Sequence, residues 1–228
     1  MENIFDALLT LPLFNGMSRP RLLDIAGRIR LRFVKLRPGE IVLRQGEDAE
    51  NLVFMISGRV KISVVDEKSL IKVEQYIEDN CLLSADKLFG RKTYYSGTII
   101  AEADSSFLFI DKEEVLKLVE TDNIFCINYL NLLSAKAQKG GMYMLMGRKL
   151  TLPFRLRTLV ELITINHAKE IMLTISHRSS FFEFLDCSRY DYVNLLQHLS
   201  RDCEIRFTEH QISIADRKQF LIALESFF

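Results

Sequence analysis

The sequence predicts an α+β fold with a strand-rich N-terminal half, one long helix, and a smaller C-terminal domain of helices and a hairpin. Short apolar runs separated by turn residues fill positions 34–110, a pattern that is typical of strands. Helical periodicity replaces them from 112 to 149. Near Pro153 a new helix begins, and it is followed by two closely spaced helix starts and a hairpin pattern.

Six apolar runs are the predicted strands of the N-terminal half, and a short helix around 19–29 precedes them. The runs are 40–44, 51–56, 59–65, 71–77, 94–103 and 106–110. The turns between them contain Gly39, Gly46, Gly58 and Gly90. Many short strands with such turns predict a sandwich, a roll or a barrel.

The long helical stretch carries an apolar seam whose members recur at alternating steps of three and four residues. The seam consists of Leu130, Leu133, Ala137, Gly140 and Met144. This heptad-like pattern fits two interpretations: the stripe packs on its own domain, or two copies of the helix pair in a dimer. The spacing alone leaves both open.

The C-terminal domain contains a helix-turn-helix outline. Ser180 stands three residues before Glu183, and Ser188 three residues before Asp191, which is the pattern of a capped helix start. Only a tight turn fits between the two helices, at 185–187. A hairpin is predicted next, with strands at 204–207 and 211–216, and a helix over 217–226 follows it.

The second helix of this outline, at 188–200, separates into two faces. Its predicted buried face consists of Tyr192, Leu195, Leu196 and Leu199. Its opposite face consists of Arg189, Tyr190, Val193, Asn194 and Gln197. Arginine matches the acceptors of guanine, asparagine can bind adenine, and an apolar side chain can meet a thymine methyl group. Two-helix outlines also occur in all-α proteins of other functions, so the outline by itself is a weak signal of DNA binding.

Charge is the main objection to a nucleic-acid partner. The chain has 30 basic and 30 acidic side chains, and residues 148–228 hold 11 and 10 of them. A protein that binds a polyanion usually carries a basic surplus. Local cations, namely Arg178, Arg201 and Arg206 beside Arg189, could suffice, but the balance predicts modest non-specific affinity.

Composition also predicts the compartment. No apolar run approaches the roughly 18 residues that a membrane-spanning helix needs, and Glu2 and Asp6 stand where a signal peptide would be basic. We therefore expect a cytoplasmic protein without a membrane partner. The cysteines are widely spaced, so we expect reduced thiols and no metal site; they are Cys81, Cys126, Cys187 and Cys203.

Two segments carry a resemblance to a known family. LRPGEIVLRQGEDAENLVFMISGRVKIS, at 36–63, resembles the β-roll entry of the cyclic-AMP receptor protein/Fnr (Crp/Fnr) family of bacterial transcription regulators. CSRYDYVNLLQHL, at 187–199, is similar to the recognition helix of that family, and the hairpin with Ala215-Asp216-Arg217 is similar to its wing and following helix. The family resemblance covers nearly everything from Leu11 to Leu221.

The resemblance implies three parts and a mode of action. The parts are a cyclic-nucleotide-binding-like β-roll sensor domain over 1–111, a long dimerisation helix over 112–149, and a winged helix-turn-helix DNA-binding domain over 150–228. A homodimer would read a palindromic site on double-stranded DNA, with half-sites about 34–36 Å apart, and would contact RNA polymerase. The implied base-reading residues are Arg189, Tyr190 and Asn194. The implied phosphate contacts are Arg178, Ser180, Ser188 and Gln197.

Departures from the family pattern affect the DNA-reading helix. The family commonly has an acidic residue and an arginine where this chain has Tyr190 and Asn194, so we expect a different operator. Asp191 would repel a phosphate unless it caps the helix. Asp186 replaces the usual turn glycine, and aspartate tolerates the left-handed conformation better than most residues.

The effector pocket departs further. Nucleotide-binding members use a Gly-Glu pair and an Arg-Ser pair, and this chain aligns Ser84-Ala85 and Tyr95-Ser96 in those places. Burying a phosphate without its cation is strongly unfavourable, so cyclic AMP is not expected. Nor is a His-ligated haem, because all four histidines follow the long helix, nor an iron–sulfur cluster, because the N-terminal cysteine cluster is missing. The effector would be an unknown small molecule, or there would be none.

The leading hypothesis is therefore a dimeric DNA-binding transcription regulator of the Crp/Fnr type. The alternative is a ligand-sensing or protein-interaction module with a vestigial helix-turn-helix, which the neutral charge and Asp191 favour. An enzyme is not predicted, because the sequence has no recognisable nucleophile constellation and no phosphate-binding glycine loop.

Overall fold

A computed structural model describes residues 8–66, 71–78, 80–144 and 151–227. The chain forms two compact units: Met1–Val60 with Glu78–Gln138, and Lys61–Ile77 with Lys139–Phe228. Residues 61–77, which the sequence placed in the N-terminal domain, thus group with the C-terminal unit. The functional boundaries expected at 111 and 149 remain predictions.

The first unit is built on an antiparallel sheet. Its strands are β1 (Leu31–Leu36), β2 (Ile41–Leu43), β3 (Asn51–Ser57), β6 (Cys81–Leu82), β7 (Thr98–Ala101) and β8 (Ser105–Asp111), while β4 (Val60–Asp66) and β5 (Ile71–Ile77) lead into the second unit. Four strands pair in the order β1-β8-β3-β6, and β2 pairs separately with β7. All six predicted strands are present, although the run at 94–103 forms only the four-residue strand β7.

An aromatic cluster holds the core of the first unit. Phe14 contacts both Phe54 of β3 and Phe125, at ring-centroid distances of 6.0 and 5.7 Å. Helix α1 (Arg19–Arg28) adds Leu22 and Ile25 to the same core, which confirms the short helix predicted ahead of the strands. Burial of these side chains is the main source of stability for this unit.

The long helical stretch is interrupted, which corrects the single helix expected over 112–149. It consists of α2 (Lys112–Thr121) and α3 (Asn123–Met144), and residues 145–150 lie outside the described part. Asp122 makes the break: one carboxylate oxygen accepts from the Phe125 amide at 2.9 Å, and the other binds Arg21 Nε at 2.6 Å. This buried carboxylate therefore caps α3 and leaves the backbone extended between the helices.

The second unit combines a sheet with helices. The remaining strands are β9 (Glu170–Ile175), β10 (Ile205–Phe207) and β11 (Gln211–Ile214), and the helices are α4 (Leu152–Ile163), α5 (Phe181–Phe184), α6 (Arg189–Leu199) and α7 (Arg217–Glu225). Within the unit the strand order is β10-β11-β9-β5-β4. The predicted hairpin and helices are present, but the sequence interpretation missed β9.

Strand β5 adds to the sheet of the C-terminal helices through a six-residue antiparallel ladder. Its register runs from Ile71 opposite Ile175 to Tyr76 opposite Glu170. The buried Gln75 side chain also accepts a hydrogen bond from the Ile165 amide at 2.8 Å. Strand β5 therefore belongs to the C-terminal unit by backbone pairing as well as by side-chain contact.

Gly58 is the position in the first unit that most clearly requires glycine. Its φ of +110° lies where other residues are strained, and an added Cβ would lie 2.6 Å from Ser105 Cα. Ser105 cannot move aside easily, because it is buried and its hydroxyl donates to the Ala103 carbonyl at 2.7 Å. The tight turn between β3 and β4 therefore depends on a missing side chain.

We expect Gly58→Ala to lower the free energy of unfolding by about 2–4 kcal/mol, through backbone strain and overpacking. Chemical denaturation measures it. Gly27→Ala is the matched control: Gly27 lies in α1 with nothing within 4 Å of an added Cβ, so it should gain about 0.5–1 kcal/mol. Equal midpoints for the two variants would contradict this account of the turn.

Candidate nucleic-acid interface and sensor pocket

The start of the two-helix segment is fixed by a capping box. The Ser180 hydroxyl accepts from the Glu183 amide at 3.3 Å, and the Glu183 carboxylate accepts from the Ser180 amide at 2.9 Å. These bonds to the charged form hold the pKa of Glu183 below its ordinary value. Ser180 is itself buried, so its placement does not suit the phosphate contact that the sequence predicted for it.

The turn between the two helices has the conformation that the sequence suggested. Asp186 has a φ of +51°, in the left-handed region, and is the single non-glycine residue of positive φ among the described residues. The Cys187 amide donates to the Phe182 carbonyl at 2.9 Å across the turn. Aspartate thus adopts the left-handed conformation for which glycine is usual at this position. This conformation sets the direction of α6 relative to α5.

Helix α6 begins with a second cap. The Ser188 hydroxyl accepts from the Asp191 amide at 3.0 Å and donates to the Asp191 carboxylate at 2.6 Å. Ser188 is therefore the N-cap of α6, and the Asp191 carboxylate bonds to the Ser188 hydroxyl, not to a backbone amide. The Ser188 hydroxyl is occupied within the protein, so a phosphate contact at this residue would rest on backbone amides of the helix N-terminus.

The two faces of α6 are as predicted. Tyr192, Leu195, Leu196 and Leu199 are all buried. The opposite face consists of Arg189, Tyr190, Asn194 and Gln197, which are exposed, and Val193, which is half-buried. Tyr190 is 75% exposed, an unusual position for a large aromatic side chain. The predicted phosphate residue Arg178 is also exposed, in the turn before α5.

The turn of the β10–β11 hairpin is fastened to both helices. The buried Tyr192 hydroxyl donates to the Thr208 carbonyl at 2.8 Å, and burial raises the pKa of that phenol. The Phe181 amide, at the start of α5, donates to the Glu209 carbonyl at 2.8 Å. Because Tyr192 is also a buried residue of α6, its hydrogen bond fixes the hairpin turn relative to the exposed face of that helix.

Sequence reasoning missed the partner of Arg189. Its Nη2 lies 2.5 Å from Glu209 Oε1 in the hairpin turn. Arg206, in the hairpin, also has an acidic neighbour: its Nη2 lies 3.9 Å from Glu204 Oε1. The acidic residues were visible in the sequence, but nothing in their spacing showed that a turn twenty residues downstream would return to the first residue of α6.

The residues predicted to line the effector pocket are partly brought together. Ser84 and Tyr95 are buried, and both donate a hydroxyl hydrogen to the Asn51 carbonyl at 3.3 Å. Burial raises the pKa of Tyr95. The Ala85 carbonyl accepts from the Tyr129 hydroxyl of α3 at 2.8 Å. Ser96, by contrast, is exposed.

An ion pair joins the same region to helix α3. The Asp86 carboxylate lies 2.7 Å from Lys136 Nζ and 3.4 Å from Lys87 Nζ. Burial alone would raise the pKa of Asp86, but the two lysines outweigh it and hold the pKa below its ordinary value. The polar groups beside the predicted pocket are thus satisfied by the protein itself.

Within 8–66, 71–78, 80–144 and 151–227, no group of three His, Cys, Asp or Glu side chains is placed to hold a metal ion. No helix in those ranges is long and apolar enough to cross a bilayer. The four cysteines are free thiols.

Several solved structures resemble this one. The catabolite activator protein of Thermus thermophilus is 15% identical with a TM-score of 0.49, and the match covers 95% of this chain and 100% of that one. DNR from Pseudomonas aeruginosa is 18% identical with a TM-score of 0.46, over 100% and 99% of the two chains. The sensor domain of the transcriptional regulator DNR is 23% identical with a TM-score of 0.47, over 58% and 91%.

A domain family also matches part of the chain. None of the curated proteins compared with this chain matches it. Residues 33–122, however, match the family model described as the cyclic nucleotide-binding domain. They contain most of β1, strands β2 to β8 and helix α2. This N-terminal segment of the protein therefore matches the cyclic nucleotide-binding domain family.

Proposed function

We propose that this chain is a DNA-binding transcription regulator of the Crp/Fnr type that acts as a homodimer. The observation that carries the proposal is the exposed face of α6, where Arg189, Tyr190 and Asn194 stand together next to a capped helix N-terminus. Arginine and asparagine are the side chains best suited to guanine and adenine edges, and the major groove is wide enough to admit an α-helix.

The composition of this face favours a base-reading surface over an ordinary solvent-exposed helix face. A solvated helix face usually carries flexible charged side chains, whereas this one presents a large exposed tyrosine and an amide beside one arginine. Gln197 and Arg178 are exposed and supply polar groups for phosphate oxygens. The fixed hairpin turn adds a second element, which would serve as a wing beside the helix.

Dimerisation through α3 is the second part of the proposal. Ile127 and Leu130 are 56% and 52% exposed on this helix, and Ala137 continues the exposed stripe. Leu133 is half-buried, and the exposure of Gly140 and Met144 lies outside the described part. Large apolar side chains in one exposed row are costly in water, and pairing two copies of the helix would bury them.

The sensor part is proposed to respond to something other than cyclic AMP, or to no ligand. Where a nucleotide phosphate would need a cation, the chain has the buried Tyr95, whose hydroxyl is bonded to Asn51. Ser84 bonds to the same carbonyl. A phosphate at this point would break these bonds and gain no guanidinium in return.

The alternative of a ligand-sensing or protein-interaction module keeps one observation in its favour. Arg189, the main cation of the reading face, is paired with Glu209. Together with the near-neutral composition of residues 148–228, this pair reduces the positive field that would attract DNA. DNA-binding measurements separate the two candidates.

For DNA binding, we expect the full-length protein to bind a selected palindromic operator with an affinity that falls as salt rises from about 50 to 200 mM. Arg189→Ala should relax discrimination at one base position by about 1–3 kcal/mol, because a bidentate contact to guanine is lost. Fluorescence anisotropy with single-base operator variants measures both. Arg206→Ala, the control, should weaken all operators alike. A folded dimer without salt-dependent binding would favour the alternative module.

For assembly, Leu130→Asp should shift the protein from dimer to monomer at micromolar concentration, because a carboxylate would be buried in the proposed interface. Sedimentation velocity measures the change. Leu116→Asp is the matched control, since Leu116 is also an exposed leucine, but on α2. A wild-type monomer, or the same shift in both variants, would contradict dimerisation through α3.

For the sensor, cyclic AMP at millimolar concentration should leave the melting temperature unchanged, because a ligand that does not bind the native state cannot stabilise it. Differential scanning fluorimetry measures the shift. Adenosine serves as the comparison without a phosphate. A rise produced by cyclic AMP and not by adenosine would mean that the loop around Tyr95 rearranges to take a phosphate.

A further inference from the structure

We propose that Glu209, in the turn of the β10–β11 hairpin, is a positioning residue that fixes the Arg189 side chain for base recognition. This inference rests on the DNA-binding function proposed above and names a residue that the α6 motif does not contain. The contact that motivates it is the 2.5 Å ion pair between Arg189 Nη2 and Glu209 Oε1.

The backbone around Glu209 is anchored on several sides. Its own carbonyl accepts from the Phe181 amide at 2.8 Å, and the preceding carbonyl, of Thr208, accepts from the Tyr192 hydroxyl at 2.8 Å. On the other side, His210 Nδ1 lies 2.8 Å from the Ser179 carbonyl oxygen. The carboxylate of Glu209 therefore extends from a fixed point beside the N-terminus of α6.

Arg189 is the opposite kind of residue. It is the first residue of α6, and its side chain is 71% exposed, so little besides Glu209 restricts its long side chain. An arginine without such a partner samples many rotamers and would lose that freedom on binding a base. Holding one end of the guanidinium before binding lowers this loss, which is the benefit of preorganisation.

The contact leaves the guanidinium able to read a base. Arginine carries five N–H donors in a planar fork, and Glu209 engages Nη2 while other donors remain. Two of them are enough for the paired acceptors of guanine. The carboxylate also repels phosphate, so removing it has two effects: weaker orientation of Arg189 and a less negative surface.

A pair of alanine variants separates the two effects. Glu209→Ala removes the contact to Arg189, and Glu204→Ala removes an equal charge from the same hairpin, where Glu204 lies 3.9 Å from Arg206. We expect both to raise affinity for non-specific DNA alike. Only Glu209→Ala should reduce discrimination for guanine at one operator position, by about two- to five-fold, as befits an exposed ion pair.

A double-mutant cycle tests whether the effect passes through Arg189. In the Arg189→Ala background, Glu209→Ala should no longer change base discrimination, whereas its effect on non-specific affinity should persist. Unfolding midpoints should stay close to wild type, because the side chain of Glu209 is not part of the turn's hydrogen bonds. A variant that unfolds early can be replaced by Glu209→Gln, which keeps an acceptor oxygen and should fall between.

Each outcome decides the inference. Unchanged discrimination in Glu209→Ala, with a wild type that binds its operator specifically, overturns the role of Glu209 and leaves the proposed function intact. Improved discrimination beyond the Glu204→Ala control also overturns it, because Glu209 would then compete with DNA for Arg189. A wild type that binds no DNA overturns the proposed function and this inference with it.

Discussion

Strand β9 is the element on which the C-terminal unit depends, because it is paired along both edges. It pairs with β11 on one side and with β5 on the other, and Ile171, Leu173 and Ile175 of its inner face are almost fully buried. Backbone polar groups of a buried strand need such partners on both sides. Through β11, this strand also sets the position of the hairpin whose turn meets α6.

Local patterns in the sequence predicted most elements, and long-range contacts explain part of what was missed. Turn glycines, apolar runs and hydroxyl caps each act within a few residues, so most strands and both helix starts could be predicted, although β1 and β6 were missed. Strand β9 alternates Ile171, Leu173 and Ile175 with more exposed residues, a signal that could have been found. The break at Asp122 rests on a local cap to the Phe125 amide, which could also have been found, whereas the ion pair of Asp122 with Arg21, about a hundred residues away, could not.

The candidate site likewise contains features with a local sequence signal and features that depend on long-range contacts. The exposed and buried faces of α6 follow from helical periodicity, so Arg189, Tyr190 and Asn194 could be placed from the sequence. Ser180 and Ser188 each cap a helix, and their hydroxyls bond to the protein. These hydroxyls are therefore not available for a phosphate oxygen of DNA. The pair between Arg189 and Glu209 requires the hairpin to fold back, and no local pattern encodes that distance.

The ion pairs of the hairpin indicate what the neutral charge of the chain means for DNA affinity. Non-specific DNA affinity grows with the number of cations that displace counterions from phosphates. Of the four arginines expected around the reading face, Arg189 and Arg206 each lie beside a carboxylate of the hairpin, so each adds less to the positive field than it would without that neighbour. Under the proposed function, the C-terminal domain gains little DNA affinity from attraction to phosphates. Its binding then depends on the geometry of its base contacts. The anchored hairpin turn supplies that geometry, because rigid partners hold a side chain where a diffuse positive surface cannot.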